Sequence, residues 1–357
     1  VFLRPLWPPT SLRFYDVQDL RYEDAPDPVI EKPDDVIVKV KAVGICGSDI
    51  ARYRNLGPYV PGNVWGHEFC GEVVEVGEGV KNLKPGDRVV GCPNMVCHEC
   101  EYCKSGHPSR CENLNTIGAY VPGAYAEYIK LPEINFVKMA DSMSYEQGAL
   151  VEPATVAIHG LYQTSIKMGY EVAVVGCGNI GLMAIAWAKA FGAKRVFAID
   201  IDDAQLQLAK EFGADVLINS TDIDFHDEIR KYGNGVDLAI ESAGNPFTAA
   251  RVLGLPHKGG EVVYMGIPYA DVPIPRFYFE RIMRNELHVI GSWCTISAPY
   301  PGKEWTNAVE YIGSGKVDVL GMVTHQVNLS EGPEMFKKII ANPKGYGKVL
   351  LYPEEDR

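Results

Sequence analysis

Four cysteines fall within one short stretch: Cys97, Cys100, Cys103 and Cys111. Thiolates are natural ligands of tetrahedral Zn2+, and such short spacings let a single loop wrap the ion. Four protein ligands leave no open coordination position, so a zinc held here would be structural. Two disulfides or four free buried thiols are the competing readings. The total of nine cysteines is odd. The first residues, Val1–Pro9, lack the apolar stretch and small-residue cleavage site of a secretory leader. Both features point to a reducing compartment, the cytoplasm, where clustered thiols bind metal more often than they pair.

A second set of donors is dispersed. It comprises Cys46 with Ser48 and Asp49, then Gly66-His67-Glu68, then Glu152-Pro153. Sulfur, imidazole and carboxylate together suit a catalytic zinc, because three protein ligands leave a place for water or substrate. Spacing alone leaves the matter open. A histidine beside glycine is more often structural, and Glu-Pro often merely starts a helix with proline in its first turn.

The third chemical signal is Gly176-Cys-Gly178-Asn-Ile180-Gly181. It follows the apolar run Glu171–Val175 and opens a helical pattern that ends at Gly192. That is the context a dinucleotide fingerprint requires. Gly176 permits the tight turn, Gly178 lets backbone approach a pyrophosphate, and Gly181 lets the helix pack close to the sheet. The helix N-terminus then offers unpaired N–H groups to phosphate. Asp200 closes the next apolar strand, and Asp202 and Asp203 follow with no Lys or Arg between positions 201 and 205. A carboxylate there bonds a ribose 2′-hydroxyl and repels a 2′-phosphate, so NAD is favoured over NADP. A glycine-rich turn that binds no nucleotide is the bland alternative.

These groups need a scaffold. At 357 residues the chain suggests two domains. Residues 34–44 alternate apolar and polar, and further β signals lie at 70–77 and 87–91. Up to about residue 150 turns are many and long helical patterns few, so a mostly β domain is predicted. From about 154 to 294, apolar strands at 171–176, 195–200, 216–219, 236–241, 261–266 and 287–292 alternate with helical segments such as 204–212. That alternation predicts an α/β domain with a doubly wound parallel sheet. Helices near 304–312 and 332–341 and a strand at 348–352 close the chain; 295–357 is expected to rejoin residues 1–153 in one catalytic domain. The tail Pro353–Arg357 reads as a solvated end. Net charge is −12, which argues against a nucleic-acid surface. Mean hydropathy is −0.07, and there is no apolar run long enough for a membrane span.

On these motifs the chain resembles the zinc-dependent medium-chain alcohol/polyol dehydrogenases over nearly its whole length and in the expected order. The resemblance implies a GroES-like catalytic domain built from both chain ends, with a structural zinc lobe at about 92–115, around a Rossmann NAD-binding domain. It implies one catalytic and one structural zinc. The catalytic ion would be held by Cys46, His67 and either Glu68 or Glu152, with Asp49 orienting His67. Zinc would lower the pKa of a substrate hydroxyl, Ser48 would pass its proton toward the nicotinamide ribose, and the carbinol carbon would give hydride to NAD+. Many members place a histidine three residues after this serine; here the position is Ala51, so the proton must leave another way. The later strand ends Met265, Gly266, Ile267 and Gly291, Ser292, Trp293 fall where the family's loops meet the nicotinamide half. Glu152 is the residue type carried by the sorbitol dehydrogenase-like members, where alcohol dehydrogenases carry a second cysteine. The run from Val289 to Trp305 resembles the galactitol-1-phosphate branch. The implied partner is a polyol or polyol phosphate, with Arg52, Arg54 and Lys303 as candidate phosphate contacts, in a homodimer or homotetramer. Threonine- or butanediol-type dehydrogenases are the neighbouring alternatives, and a catalytically silent NAD-binding protein the alternative of another class.

Overall fold

The computed structural model describes residues 10–353. The stretch Val1–Pro9 and the tail after Pro353 lie outside the described residues. The chain divides into two compact units: Val1–Glu152 with Thr295–Ser314 and Val323–Arg357, and Pro153–Cys294 with Gly315–Met322. The break at residue 152 falls inside the helix Val151–Tyr162. Gly315–Met322 departs from the expected grouping of 295–357. Its turn Leu320–Met322 packs on the helix Asp203–Glu211, and a Cβ on Gly321 would lie 3.4 Å from the Phe212 ring.

The first unit is mostly β. Its larger sheet runs in the order Phe136–Lys138, Arg88–Gly91, Glu68–Val76, Asp35–Gly44, Lys348–Tyr352, Val323–Asn328, with Tyr128–Pro132 also paired to Asp35–Gly44. The alternation read at 34–44 becomes Asp35–Gly44, the strand on which the sheet is centred. The register sets Gly44 opposite Glu68 on one side and opposite Leu350 on the other. The C-terminal strand is thereby brought beside the segment that carries His67 and Glu68. A smaller sheet joins Asp19–Asp24, Thr10–Asp16 and Asn63–Val64. Its hairpin has no glycine to mark the turn; Gln18 takes a φ of 60° instead. Leu12, Phe14, Tyr53, Trp65, Tyr125 and Phe336 share the core between the sheets and the helix Gly332–Ala341.

The second unit is a six-stranded, all-parallel sheet in the order Val216–Asn219, Arg195–Asp200, Glu171–Val175, Val236–Glu241, Pro256–Tyr264, His288–Gly291. Order reverses at Glu171–Val175, so a crevice opens beyond the carboxyl ends of Glu171–Val175 and Val236–Glu241, where doubly wound folds bind ligands. The central strands Glu171–Val175, Arg195–Asp200 and Val236–Glu241 are largely apolar and buried, as fits a parallel sheet covered on both faces. The helix Arg276–Arg284 is strongly amphipathic, yet Phe277, Phe279 and Met283 are exposed and only Tyr278 is buried. No helix among the described residues is long and apolar enough to cross a membrane.

Candidate active site

In the first unit, Cys97, Cys100, Cys103 and Cys111 bring their sulfurs together on one loop. All nine cysteines are free thiols. Cys97 Sγ lies 3.5 Å from Cys111 Sγ and 4.0 Å from Cys103 Sγ. Zn–S bonds of ~2.3 Å in a tetrahedron set the sulfurs ~3.8 Å apart, between those two separations. Backbone N–H groups of Glu99 and Cys100, followed by neighbouring thiols, lower Cys97 to about 6, whereas burial and its thiol neighbours push Cys103 up to about 12. The backbone N–H groups of Cys103 and Glu112 lower Cys100 as well, and burial raises Cys111, so two thiols lean toward the thiolate and two need a cation to ionise. The donor set fits a structural zinc.

The dispersed set also converges. Donor atoms of Cys46, His67 and Glu68 lie within 4.8 Å of one another. Cys46 is the N-cap of the short helix Gly47–Ala51, which presents Ser48 on its half-exposed side and buries Asp49. His67 follows Gly66, whose φ of +91° and contact with Tyr125 leave no room for a side chain: a Cβ there would be 2.4 Å from that ring. Asp49 Oδ1 lies 3.8 Å from His67 Nδ1, an ion-pair separation rather than a hydrogen bond. Asp49 Oδ2 instead accepts from Tyr125 Oη at 2.6 Å and from the Cys46 N–H at 3.1 Å. Burial opposes charge on His67, yet Asp49, Cys46 and Glu152 together raise it well above the usual imidazole value.

Glu68 does not stand alone. Lys348 Nζ lies 2.8 Å and 2.5 Å from its two carboxylate oxygens, with both side chains essentially inaccessible. Gly44 makes room for this carboxylate, since a Cβ at that position would meet Glu68 Oε2 at 2.2 Å. Glu152 lies outside the three-residue cluster but in the same field. Burial first, then Glu68 and Asp49, raise it to about 7 against the pull of His67 and Lys348. Thiol, imidazole and carboxylate donors brought within 4.8 Å of one another are a set that fits a catalytic zinc. Lys348 and Tyr125 are the site residues that sequence reading misses. One is a lysine at the head of an apolar strand and the other an aromatic in the core, and neither carries a local signal.

In the second unit, Gly176 sits at φ +92° with the Ala243 backbone where a Cβ would go, 2.6 Å from its nitrogen. A Cβ on Gly181 would lie 1.9 Å from Gly176 O, whereas one on Gly178 would meet nothing within 4 Å. Gly178 is the N-cap of the helix Asn179–Ala190 and supplies no side-chain cap, so the first-turn N–H groups have no side-chain partner there. Ile180 lies in this first turn. Asp200 Oδ2 accepts from the Cys177 N–H at 2.6 Å, and Oδ1 from Ile201 and Asp202 at 2.7 and 3.0 Å. This cradle at the crevice fits a dinucleotide. Met265 and Gly266 donate their N–H groups to Glu241 O, and Gly266 packs on the Gly244 turn. Ile267 beside it is 46% exposed. Gly291 ends the edge strand, Ser292 N donates to Tyr264 O at 3.0 Å, and Trp293 is 60% exposed.

Comparison with known proteins agrees with both halves. Residues 32–141 match the family described as alcohol dehydrogenase GroES-like domain, and residues 179–314 match zinc-binding dehydrogenase. Sorbitol dehydrogenase of Bacillus subtilis is 35% identical over 347 residues, covering 95% of this chain and 96% of that protein. Galactitol 1-phosphate 5-dehydrogenase of Escherichia coli K12 is 35% identical over 338 residues, covering 94% and 97%. Among solved structures, galactitol-1-phosphate dehydrogenase from Escherichia coli superposes with a TM-score of 0.92 at 33% identity, covering 96% of this chain and all of that one. A zinc-binding dehydrogenase from Sinorhizobium meliloti bound to NADP gives 0.88 at 32% identity, covering 97% and 99%. With a GroES-like β domain, a Rossmann sheet and near full-length likeness to named dehydrogenases, the chain belongs to the zinc-binding medium-chain alcohol/polyol dehydrogenase family.

Proposed function

We propose that this enzyme moves a hydride between a secondary hydroxyl of a polyol, or of a polyol phosphate of the galactitol 1-phosphate kind, and NAD. The observation that carries the reading is the convergence of Cys46, His67 and Glu68, beside Ser48 and the buried Glu152, in a chain that also bears an NAD-type fingerprint. Cys46, His67 and a carboxylate from Glu68 or Glu152 would hold the catalytic zinc, which supplies Lewis acidity toward the substrate hydroxyl. Cys97, Cys100, Cys103 and Cys111 would hold the structural one.

The protein's own groups do the rest. Ser48, half-exposed on the helix after Cys46, would accept the hydroxyl proton and pass its own toward the nicotinamide ribose. Asp49, held by Tyr125, sets its carboxyl 3.8 Å from His67 Nδ1 and would orient that ring. Gly176, Gly178, Ile180 and Gly181 would receive the pyrophosphate, and Asp200 the adenine-side ribose. Met265, Gly266, Ile267, Gly291, Ser292 and Trp293 would contact the nicotinamide half. The carboxylate of Asp200 favours NAD, although a relative of similar fold binds NADP. Nine free thiols suit the cytoplasm. The exposed edge strand His288–Gly291, with Val289, Phe277 and Met283 uncovered nearby in the same unit, supports a homodimer or homotetramer.

The test is a panel of polyols and their phosphates with NAD+ and NADP+, read as reduced cofactor. Turnover restricted to NAD+ with polyols or their esters is expected. Oxidation of threonine or butanediol alone would replace this reading with a neighbouring one.

A further inference from the structure

We propose that Arg52 is the residue that recognises an anionic group, a phosphate ester, at the far end of the substrate. This deepens the polyol-phosphate reading above and rests on it.

Three observations in the first unit carry the inference. The helix Gly47–Ala51 does not end but widens into a π-helical turn, Arg52–Leu56. Such turns are rare and recur at functional sites. Ser48 and Arg52 are separated by four residues, so they share one face of this helix about 6 Å apart along its axis. Both are half-buried, whereas Asp49 and Tyr53 point into the core. The residue proposed to take the substrate proton and the guanidinium therefore occupy successive turns of one exposed stripe.

The guanidinium is also pre-arranged. The Gly57 N–H donates to Arg52 O and Arg52 Nη1 donates back to Gly57 O, both at 2.9 Å. Its plane lies over the Tyr59 ring, 3.3 Å from the centroid, and Tyr59 in turn leans on Tyr120 with centroids 5.0 Å apart. Tyr59 and Tyr120 are 47% and 57% exposed. Stacking and one carbonyl fix the side chain and leave its other N–H groups uncommitted. Arg21, Arg195 and Arg251 each hold a carboxylate, but Arg52 has none within ion-pair distance among the described residues. In a chain of net charge −12, an ordered cation without an acidic partner is a place for an external anion. A planar fork of this kind matches the oxygens of phosphate.

The experiment compares kcat/KM of the zinc-loaded enzyme for a hexitol phosphate and for the same hexitol without phosphate. The wild-type protein is expected to prefer the ester. Arg52→Gln should cut that preference about 10- to 100-fold, carried by KM rather than kcat, as fits loss of charge-assisted bonds to phosphate. Arg52→Lys should recover part of it as a point charge, which a general packing defect would not. Lys81→Gln, which removes an exposed lysine elsewhere in the same unit, should leave the ratio within about twofold, since such charge is screened. Equal loss in Arg52→Gln and Lys81→Gln overturns the assignment. So does a wild-type enzyme that uses the free hexitol as well as its phosphate, an outcome that leaves the polyol dehydrogenase intact. No oxidation of any polyol or ester overturns the parent reading and this one with it.

Discussion

Lys348 and Glu68 form a buried ion pair across 280 residues of sequence, with Nζ 2.8 Å and 2.5 Å from the two carboxylate oxygens and 3.2 Å from Ile45 O. Burial works against the ammonium, but Glu68, Cys46 and Glu152 hold its pKa above the usual lysine value. The pair welds the last strand to the segment carrying His67 and commits both oxygens of Glu68 to an internal cation. Lys348→Met would leave that carboxylate buried without its partner. A loss of about 3–5 kcal/mol is expected in urea unfolding, with partial recovery in Lys348→Met/Glu68→Gln. A single-variant loss below about 1 kcal/mol would show that the charge is not buried as described.

The four-cysteine loop should report its metal through pH as well as stability. Thiols must lose protons to bind zinc, and here one sits near 6 while another is raised to about 12. Apparent zinc affinity should therefore rise as pH goes from 6 to 8, because binding releases protons from the more basic thiols. Competition with a chelator at both pH values checks the sign. Cys103→Ser should lower thermal stability more than it alters turnover of the zinc-loaded enzyme. Protein that folds fully with no metal at this loop would remove the structural site.

Much of this was legible in the sequence, and the parts that were not share a physical reason. The fingerprint Gly176–Gly181 and the cysteine loop are local: one strand–turn–helix or one loop suffices to build them. The parallel strands Arg195–Asp200, Val216–Asn219 and Val236–Glu241 stand at the bounds their apolar runs predict, the first and last of them largely buried. The hairpin at Thr10–Asp24 went unread because its turn uses Gln18 at positive φ rather than glycine. Lys348 and Tyr125 acquire meaning only through pairing registers that link Gly44, Glu68 and Leu350, which no window of sequence contains. The three-residue spacing of Ser48 and Ala51 was visible; the π-helical turn that follows it was not.

Cofactor choice should follow Asp200, but not through charge alone. Its carboxylate accepts N–H groups from Cys177, Ile201 and Asp202, so it shapes the glycine turn in addition to the ribose contact proposed for it. Asp200→Asn keeps an acceptor and removes the charge that repels a 2′-phosphate. The kcat/KM ratio of NAD+ over NADP+ should fall by about tenfold or more, as expected for a lost charged hydrogen bond. Asp200→Gly should weaken both cofactors, because the turn loses its anchor too. Equal use of both cofactors by the native enzyme would contradict the assignment.

Chemistry and cofactor binding should separate by mutation, since the donor cluster and the glycine turn belong to different units of the chain. His67→Ala removes one donor of the Cys46–His67–Glu68 set and should abolish turnover while NAD affinity, measured by fluorescence titration, stays close to native. Glu152→Ala should reduce turnover about 10–100-fold whether Glu152 ligates directly or through water. Ser48→Ala should slow alcohol oxidation most at low pH, where the substrate hydroxyl gives up its proton least readily. Ala51 supplies no relay beyond it, so the loss is not rescued by a neighbouring side chain of that helix. If His67→Ala kept near-native turnover with metal analysis showing the site empty, hydride transfer would not depend on zinc, and the roles given to Cys46, Glu68 and Glu152 would fall with that of His67.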